Sequence, residues 1–541
     1  MHRFIRLRPW QKRALDSLSA HLEPDYLAVA TPGAGKTTFA LTAAVQHLAQ
    51  NPSARVIVVV PTQHLKGQWA AAAAEFSLHL QPLWSARDGR LPADMHGVVV
   101  TYQQVAATAA ALRPLAADAF VVFDEIHHAG DERAWGDGVR VAFEPAARRL
   151  SLSGTPFRSD TAAIPFLTYC NDEATPQFQY GYGEALAEGR VVRPVYFPRI
   201  NGHMEWSAPD GSLHAHTFDD ALDRTRASQR LRTALSVEGE WLPAVLAQAH
   251  GRLTMVRRQA RDAGGLIIAM DQEHAQSVAA MMQVRLGVRP VIATSEDPMA
   301  SAKIAAFAKG TDPWIVAVRM VSEGVDIPRL RVGVFATNTT TELFFRQAVG
   351  RLVRWRRGTG SDPATMFIPD DPRLRRWAAT IAEQRNHSLR KRREAFEDAP
   401  PQEHLASASG ADEQLSLFSA ISAVATETAG AGIGDDELLR LAEDIDDGVL
   451  VDLPAPPVPH AAGAPGGGEA DGDAQPRHEH KTALRAFNAE RAKLIVQLSG
   501  LGHANVNGEL NRLSGVRKIS EATVGQLQTR LHHADRWLQR L

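Results

Sequence analysis

Short, continuous apolar runs recur along the chain at residues 27–30, 56–60, 98–100, 121–123 and 150–152, with helix-compatible stretches between them. Runs of this length lack polar alternation, so they predict strands buried on both faces, and the intervening stretches predict crossover helices of a parallel sheet. A second series follows at 266–270, 291–293, 314–318, 332–335 and 366–368. Two series predict two α/β lobes, which we place at residues 1–198 and 199–398. Between them, 194–211 is poorly patterned, and the arginine-rich stretch 219–261 predicts helices packed on the second lobe.

The pattern changes beyond residue 399. Residues 454–476 include Pro-Ala-Pro-Pro-Val-Pro and Gly-Gly-Gly-Glu and contain too little apolar surface to stay folded, so 399–480 reads as an acidic linker, largely disordered. Within it, 413–424 and 435–450 are compatible with short helices. From 481 to 541 helical periodicity returns, with Leu484, Phe487, Leu494, Ile495 and Leu498 expected on one apolar face and Val524, Leu527, Leu531 and Leu538 on another.

Charge follows the same division. The net of −2 conceals 15 acidic against 2 basic residues in 409–480 and 10 basic against 4 acidic in 481–541. The remaining body is mildly basic, which is compatible with a polyanionic ligand but does not require one. The terminal basic module reads either as a contact for DNA or a partner protein, or as a solvated helical hairpin.

A chain of 541 residues, 44% hydrophobic and 22% charged, exceeds one ordinary core. No apolar run approaches the roughly 20 residues that span a bilayer, and the first residues lack a secretory pattern, so a cytoplasmic location with no membrane partner is expected. Cys170 is the single cysteine. It excludes an internal disulfide and multi-cysteine metal sites, and no zinc is expected; His478 and His480 lack further ligands at suitable spacing.

Three segments carry chemistry. Thr31-Pro-Gly-Ala-Gly-Lys-Thr-Thr38 lies between an apolar run and an alanine-rich helical stretch. Gly33 and Gly35 lack a Cβ, so backbone N–H groups of Thr31, Ala34 and Thr38 and their neighbours can converge on phosphate oxygens, with Lys36 as a point charge and Thr37 as a Mg²⁺ hydroxyl. The phosphate-loop pattern departs at its first position, where Ala30 replaces glycine. Val121-Val-Phe-Asp-Glu-Ile-His-His128 ends an apolar run in two carboxylates. Asp124 suits a metal held through water, and Glu125 suits removal of a proton from attacking water. Finally, Phe344-Phe-Arg-Gln-Ala-Val-Gly-Arg-Leu-Val-Arg354 spaces Gln347, Arg351 and Arg354 by four and three, the spacing of one helix face.

In this order the segments resemble superfamily 2 helicases and translocases over about residues 7–370. Leu7-Arg-Pro-Trp-Gln11 is similar to the adenine-reading segment, Thr31 to Thr38 to motif I, Val60-Pro-Thr-Gln-His-Leu65 to motif Ia, and Val100-Thr-Tyr-Gln103 to motif Ib. Asp124-Glu-Ile-His127 is similar to motif II, Ser153-Gly-Thr-Pro-Phe-Arg158 to motif III, Ser322-Glu-Gly-Val-Asp-Ile327 to motif V, and Gln347 to Arg354 to motif VI. The wording resembles most the branch of XPB, RadD, UvsW and restriction-enzyme motors, and DEAD-box RNA helicases less. A RadD-like cysteine-rich module has no counterpart here.

The resemblance implies two tandem RecA-like domains and an ATPase using ATP and Mg²⁺. It implies that Gln11 reads adenine, that Gly324, Asp326 and Gln347 join the nucleotide site with Asp326 near the ribose, and that Arg351 and Arg354 contact the γ-phosphate. It further implies that His127 couples the ATP site to motif VI, and that Thr62, Thr101 and Ser322 hydrogen-bond a sugar–phosphate backbone. The expected function is an ATP-dependent DNA helicase or double-strand DNA translocase in repair, recombination, phage replication or defence. Alternatives are a motor subunit that remodels protein–nucleic-acid complexes or powers a nuclease, and an RNA helicase. A protein partner would be met through 399–541.

Overall fold

The computed structural model describes residues 3–88, 90–130, 133–154, 164–170, 173–207, 212–294, 296, 297, 299–318, 327–355, 363–397, 448–454, 456, 457 and 476–541. The chain divides into two compact units, one of Met1–Ala30, Gly35–Gln179 and Asp446–Leu541, the other of Thr31–Ala34 and Tyr180–Ile445.

In the first unit, β1 (Arg3–Leu7) and α1 (Pro9–Ala20) precede β2 (Asp25–Ala30), α2 (Lys36–Gln50), β3 (Val56–Val60), α3 (Gln63–Ala74), β4 (Leu80–Gln81), β5 (Gly97–Thr101) and α4 (Tyr102–Ala116). After them come β6 (Phe120–Phe123), a 3₁₀ turn (Ile126–Gly130), α5 (Arg133–Phe143), β7 (Arg148–Ser153), the small hairpin β8 (Tyr169–Cys170) with β9 (Glu173–Ala174), and β10 (Phe178–Tyr180). The main sheet has the order β10-β2-β7-β6-β3-β5-β4, and its pairs from β2 to β4 are parallel. All five residues of β3 are buried. Valines this deep contribute about 1.5–3 kcal/mol each, which explains why an unbroken apolar run becomes a central strand.

The second unit begins its regular structure with α6 (Tyr182–Glu188), β11 (Val195–Tyr196), β12 (Arg199–Ile200), the hairpin β13 (His203–Ser207) and β14 (Leu213–Thr217), α7 (Arg224–Ala234) and α8 (Trp241–Gln259). Next are β15 (Gly264–Ala269), α9 (Gln272–Leu286), β16 (Val291–Ala293), α10 (Ala300–Lys309), β17 (Trp314–Ala317), β18 (Leu330–Ala336), α11 (Glu342–Leu352), β19 (Ala364–Pro369) and α12 (Pro372–Glu397). Its parallel sheet has the order β11-β19-β18-β15-β17-β16, with β12 also on β19. The expected helices of 219–261 are α7 and α8, whose Leu231, Leu242, Leu246 and Leu253 enter the core. The fold is thus two RecA-like parallel sheets with helices after them.

The tail departs from expectation in two places. Val449 and Leu450, read as the end of an acidic helix, belong to β20 (Val449–Leu453), which pairs antiparallel with β1 in the register Ile5↔Val451. Val, Leu and Val at 449–451 suit an extended chain, and β1 supplies an open edge. The helix expected at 413–424 lies outside the described residues. The helical module consists of α13 (Arg477–Ser499), α14 (His503–Leu513) and α15 (Val524–Leu538). In α13 the buried residues are Lys481, Leu484, Asn488, Ala492 and Ile495, whereas Phe487 and Leu498, expected on the same face, are 50% and 66% exposed.

Polar chemistry decides which face of α13 turns inward. Arg530 of α15 is buried and donates to the side-chain oxygens of Asn488, Asn507 and Asn511 at 3.0, 2.7 and 2.9 Å, so Asn488 must face it. Lys481, fully buried, lies 2.7 Å from Asp94 in the β4–β5 connection. The same carboxylate accepts the N–H of Val524 at the start of α15, while Arg477 donates to the Asp94 carbonyl. Ser520 Oγ donates to the Asp88 carbonyl, and Glu521 accepts the N–H of Arg90. The helical module is therefore fastened to the first RecA-like sheet.

Candidate active site

The phosphate-loop segment leaves β2 and enters α2. Gly33 and Gly35 have φ of 82° and 93°, in the left-handed region that favours glycine, and α2 starts at Lys36 directly afterwards. Its first N–H groups and its dipole make this end a phosphate-accepting one. Gln11, buried on α1, accepts the N–H of Arg8 at 2.8 Å and donates from Nε2 to the Gly35 carbonyl at 2.9 Å. A Cβ at Gly35 would lie 2.8 Å from Gln11 Nε2. Gly35→Ala combines that clash with a strained φ, so the affinity for a fluorescent ATP analogue is expected to fall by about tenfold or more, from strain of about 1–2 kcal/mol. Unchanged binding of the analogue would remove this turn from the site.

Lys36 Nζ lies 3.1 Å from Glu125 Oε1 and donates to the Ala30 carbonyl at 3.3 Å. Glu125 follows β6 with φ 47°, a left-handed conformation rarely adopted outside glycine, and such strain clusters at functional positions. Its other oxygen accepts the N–H of Gly154 at 3.1 Å and lies 3.6 Å from His127 Nδ1. Burial acts upward on the Glu125 carboxyl, but Lys36 and His127 outweigh it and hold the group well below the usual carboxylate range. Asp124 moves the other way: burial, then the Glu125 charge, pushes it up to about 6. Two adjacent carboxylates with opposite shifts are prepared for different tasks.

The sheet register sets Asp124 in place. Val59 pairs with Phe123 and Val60 with Thr101, so the chains leaving β6, β3 and β5 stand side by side at the carboxyl edge. Asp124 N–H donates to the Val59 carbonyl. Its Oδ2 accepts the indole N–H of Trp69 at 2.8 Å, and its carbonyl accepts the Tyr102 hydroxyl at 3.0 Å. Tyr102 lies within the segment similar to motif Ib, but its role did not emerge from the motif pattern, and Trp69 lies outside every quoted motif. The available signal was Gln68-Trp69, a large aromatic placed seven residues after Thr62 on the helix following β3.

Thr62 caps α3 without a side-chain hydrogen bond to that helix. Thr101, expected on a nucleic-acid backbone, is instead 2% exposed, and its hydroxyl accepts the Gln104 N–H as the cap of α4. In the second unit, Gln347 and Arg351 lie on α11, and Arg351 is buried. The expected single helix face stops there. Leu352 ends α11, and Arg354 follows it in a bridge to Val192, with its carbonyl accepting Arg193 Nε. Thr155 to Arg158 of motif III, and Ser322, Gly324 and Asp326 of motif V, lie outside the described residues.

The donor set fits a magnesium nucleotide: a glycine cradle at a helix start, a lysine ammonium, the Thr37 hydroxyl and the Asp124 carboxylate, hard oxygen groups of the kind Mg²⁺ takes. A glycine-rich turn at a helix start beside a strand-end carboxylate pair is the arrangement of a phosphate-loop nucleotide site.

Residues 4–158 match the family described as type III restriction enzyme, res subunit. The chain is 46% identical over 401 residues to the uncharacterized protein ML1624 of Mycobacterium leprae, covering 73% of this chain and 67% of that one. It is 47% identical over 400 residues to the uncharacterized protein Rv2917 of Mycobacterium tuberculosis, covering 72% of this chain and 66% of the relative, so it spans slightly under two thirds of that protein. A fragment structure of a putative HsdR subunit of a type I restriction enzyme from Vibrio vulnificus YJ016 aligns with TM-score 0.47 at 17% identity, covering 69% of this chain and 65% of that one. The chain belongs to one family with the uncharacterized protein ML1624 of Mycobacterium leprae, and its residues 4–158 are similar to the res subunit of type III restriction enzymes. Among the described residues, no helix is long and apolar enough to cross a membrane.

Proposed function

We propose that this protein is an ATP-dependent DNA helicase or double-strand DNA translocase that couples ATP hydrolysis to movement on, or remodelling of, DNA. The observation that carries the proposal is the Lys36–Glu125 contact of 3.1 Å beside Asp124, at the mouth of a glycine-rich turn. In that arrangement Lys36 exchanges Glu125 for a phosphate oxygen, and the released Glu125 carboxylate accepts a proton from the attacking water. Asp124 and Thr37 would hold Mg²⁺, which neutralises charge on the phosphates when bound. Gln11 fixes the Gly35 backbone beneath them and is proposed to read adenine. From the second unit, Gln347, Arg351 and Arg354 are proposed to serve the phosphoryl-transfer step, with Gly324 and Asp326 at the nucleotide and Ser322 at the nucleic-acid backbone. Thr62, whose hydroxyl caps nothing in α3, is proposed as a backbone contact.

The match to a restriction-enzyme subunit favours a second reading, a motor that powers a nuclease partner without separating strands. Steady-state ATPase rates on single-stranded, duplex, forked and branched DNA and on matching RNA, together with strand displacement, separate the readings. Stimulation by DNA with displacement supports a helicase. Stimulation by duplex without displacement supports a translocating motor, and stimulation by RNA alone overturns both.

A further inference from the structure

Asp124 is held from two sides by helices that begin elsewhere on the sheet edge. Trp69 projects from α3, the helix that Thr62 starts, and donates its only polar hydrogen to Asp124 Oδ2 at 2.8 Å. Tyr102 is the first residue of α4, the helix that Thr101 caps, and donates to the Asp124 carbonyl at 3.0 Å. Both rings are buried, Trp69 at 3% exposure and Tyr102 at 0%. An indole N–H sealed from water against a carboxylate fixes which way that carboxylate faces, because turning it away would strand the donor at a cost of about 1–3 kcal/mol.

The two helices are also tied to each other. Lys66, one turn before Trp69 on α3 and 7% exposed, donates to Gln104 Oε1 on α4 at 3.1 Å. Gln104 passes the connection on: its Nε2 donates to the Trp84 carbonyl, and its N–H donates to the Thr101 cap. The starts of α3 and α4 consequently form one hydrogen-bonded block. Its exposed end presents Gln63, His64 and Gln103, and its buried end grips Asp124.

We propose that Trp69 and Tyr102 are positioning residues for Asp124, which fix the direction in which its carboxylate meets a metal nucleotide. The proposal rests on the ATP-driven motor reading above. Lys66 joins α3 to α4 through Gln104, so the two groups that hold Asp124 belong to one hydrogen-bonded block. The groups supporting a metal-binding side chain typically change metal affinity by about 10- to 100-fold when removed.

The test uses the full chain with Trp69→Phe, Tyr102→Phe, the double variant and Asp124→Asn. Mn²⁺ binding in the presence of a non-hydrolysable ATP analogue, read by electron paramagnetic resonance, reports the carboxylate without turnover. Trp69→Phe is expected to weaken Mn²⁺ by about tenfold, with metal-free analogue binding and the melting temperature retained. In the double variant, Mn²⁺ binding is expected to weaken further than in Trp69→Phe alone. Tyr102→Phe keeps the ring and provides an independent test if Trp69→Phe does not fold. Parental Mn²⁺ affinity in the folded variants, with Asp124→Asn inactive, would overturn the positioning role and leave the ATP site standing. A parental protein that binds no metal nucleotide, or an Asp124→Asn variant equal to it, overturns the site and the proposal together.

Discussion

Glu125→Gln is expected to retain ATP and lose turnover, whereas Lys36→Ala is expected to lose both. The two residues touch in the structure, at 3.1 Å, yet removing them has different consequences. The amide of the Glu125→Gln variant would keep the shape and still accept the Gly154 N–H that Glu125 Oε2 accepts at 3.1 Å. What disappears is the carboxylate that takes a proton, and loss of a general base lowers the rate by about 10²–10⁴. Alanine at 36 instead removes the ammonium that meets the phosphates and leaves Glu125 beside Asp124 without its largest compensating charge. Analogue binding and phosphate release, measured on both variants with and without DNA, give the contrast. A Glu125→Gln protein that hydrolyses at the parental rate would show that the acceptor of the proton lies elsewhere.

The parallel sheets were legible because most buried strands are short apolar runs separated by helix-compatible stretches; β7 is the exception, with Arg149, Ser151 and Ser153 buried in it. Lys36, Asp124 and Glu125 were legible because their spacing from a glycine turn or a strand end is local. The grip on Asp124 was not. Trp69 stands 55 residues from Asp124 and Tyr102 stands 22, and the contacts exist only because β3, β5 and β6 are neighbours in register. The same limit applies to β20, whose partner β1 lies at the opposite end of the chain. It applies to α13 for a different reason. Counting apolar positions selected Phe487, Leu494 and Leu498, but the buried face is chosen by Lys481 and Asn488, polar residues whose partners Asp94 and Arg530 come from other segments.

Asp94→Ala is expected to release the helical module from the first sheet. One carboxylate there serves two donors, Lys481 at 2.7 Å and the N–H of Val524 at 3.0 Å, so its loss strands a fully buried ammonium and the first turn of α15 together. Breaking one side of a buried pair costs about 3–5 kcal/mol. Lys481→Met keeps the length and removes the charge, leaving Asp94 one backbone donor, so its cost is smaller, and the double variant is expected to lose less than the sum. The lysine also fixes the sign of a pH effect. Burial lowers Lys481 to about 8 despite Asp94, below its ordinary value, so between those values the unfolded chain binds more protons. Its contribution to stability therefore rises as pH increases from that value towards about 10.4, and the parental protein should gain on Lys481→Met over that window. Urea unfolding of the full chain at pH 7 to 10, followed by amide hydrogen exchange in α13 and α15, would measure both effects. Additive losses in the double variant would show that the Lys481–Asp94 pair does not hold the module in place, and parallel pH profiles for parent and Lys481→Met would show that burial does not lower Lys481.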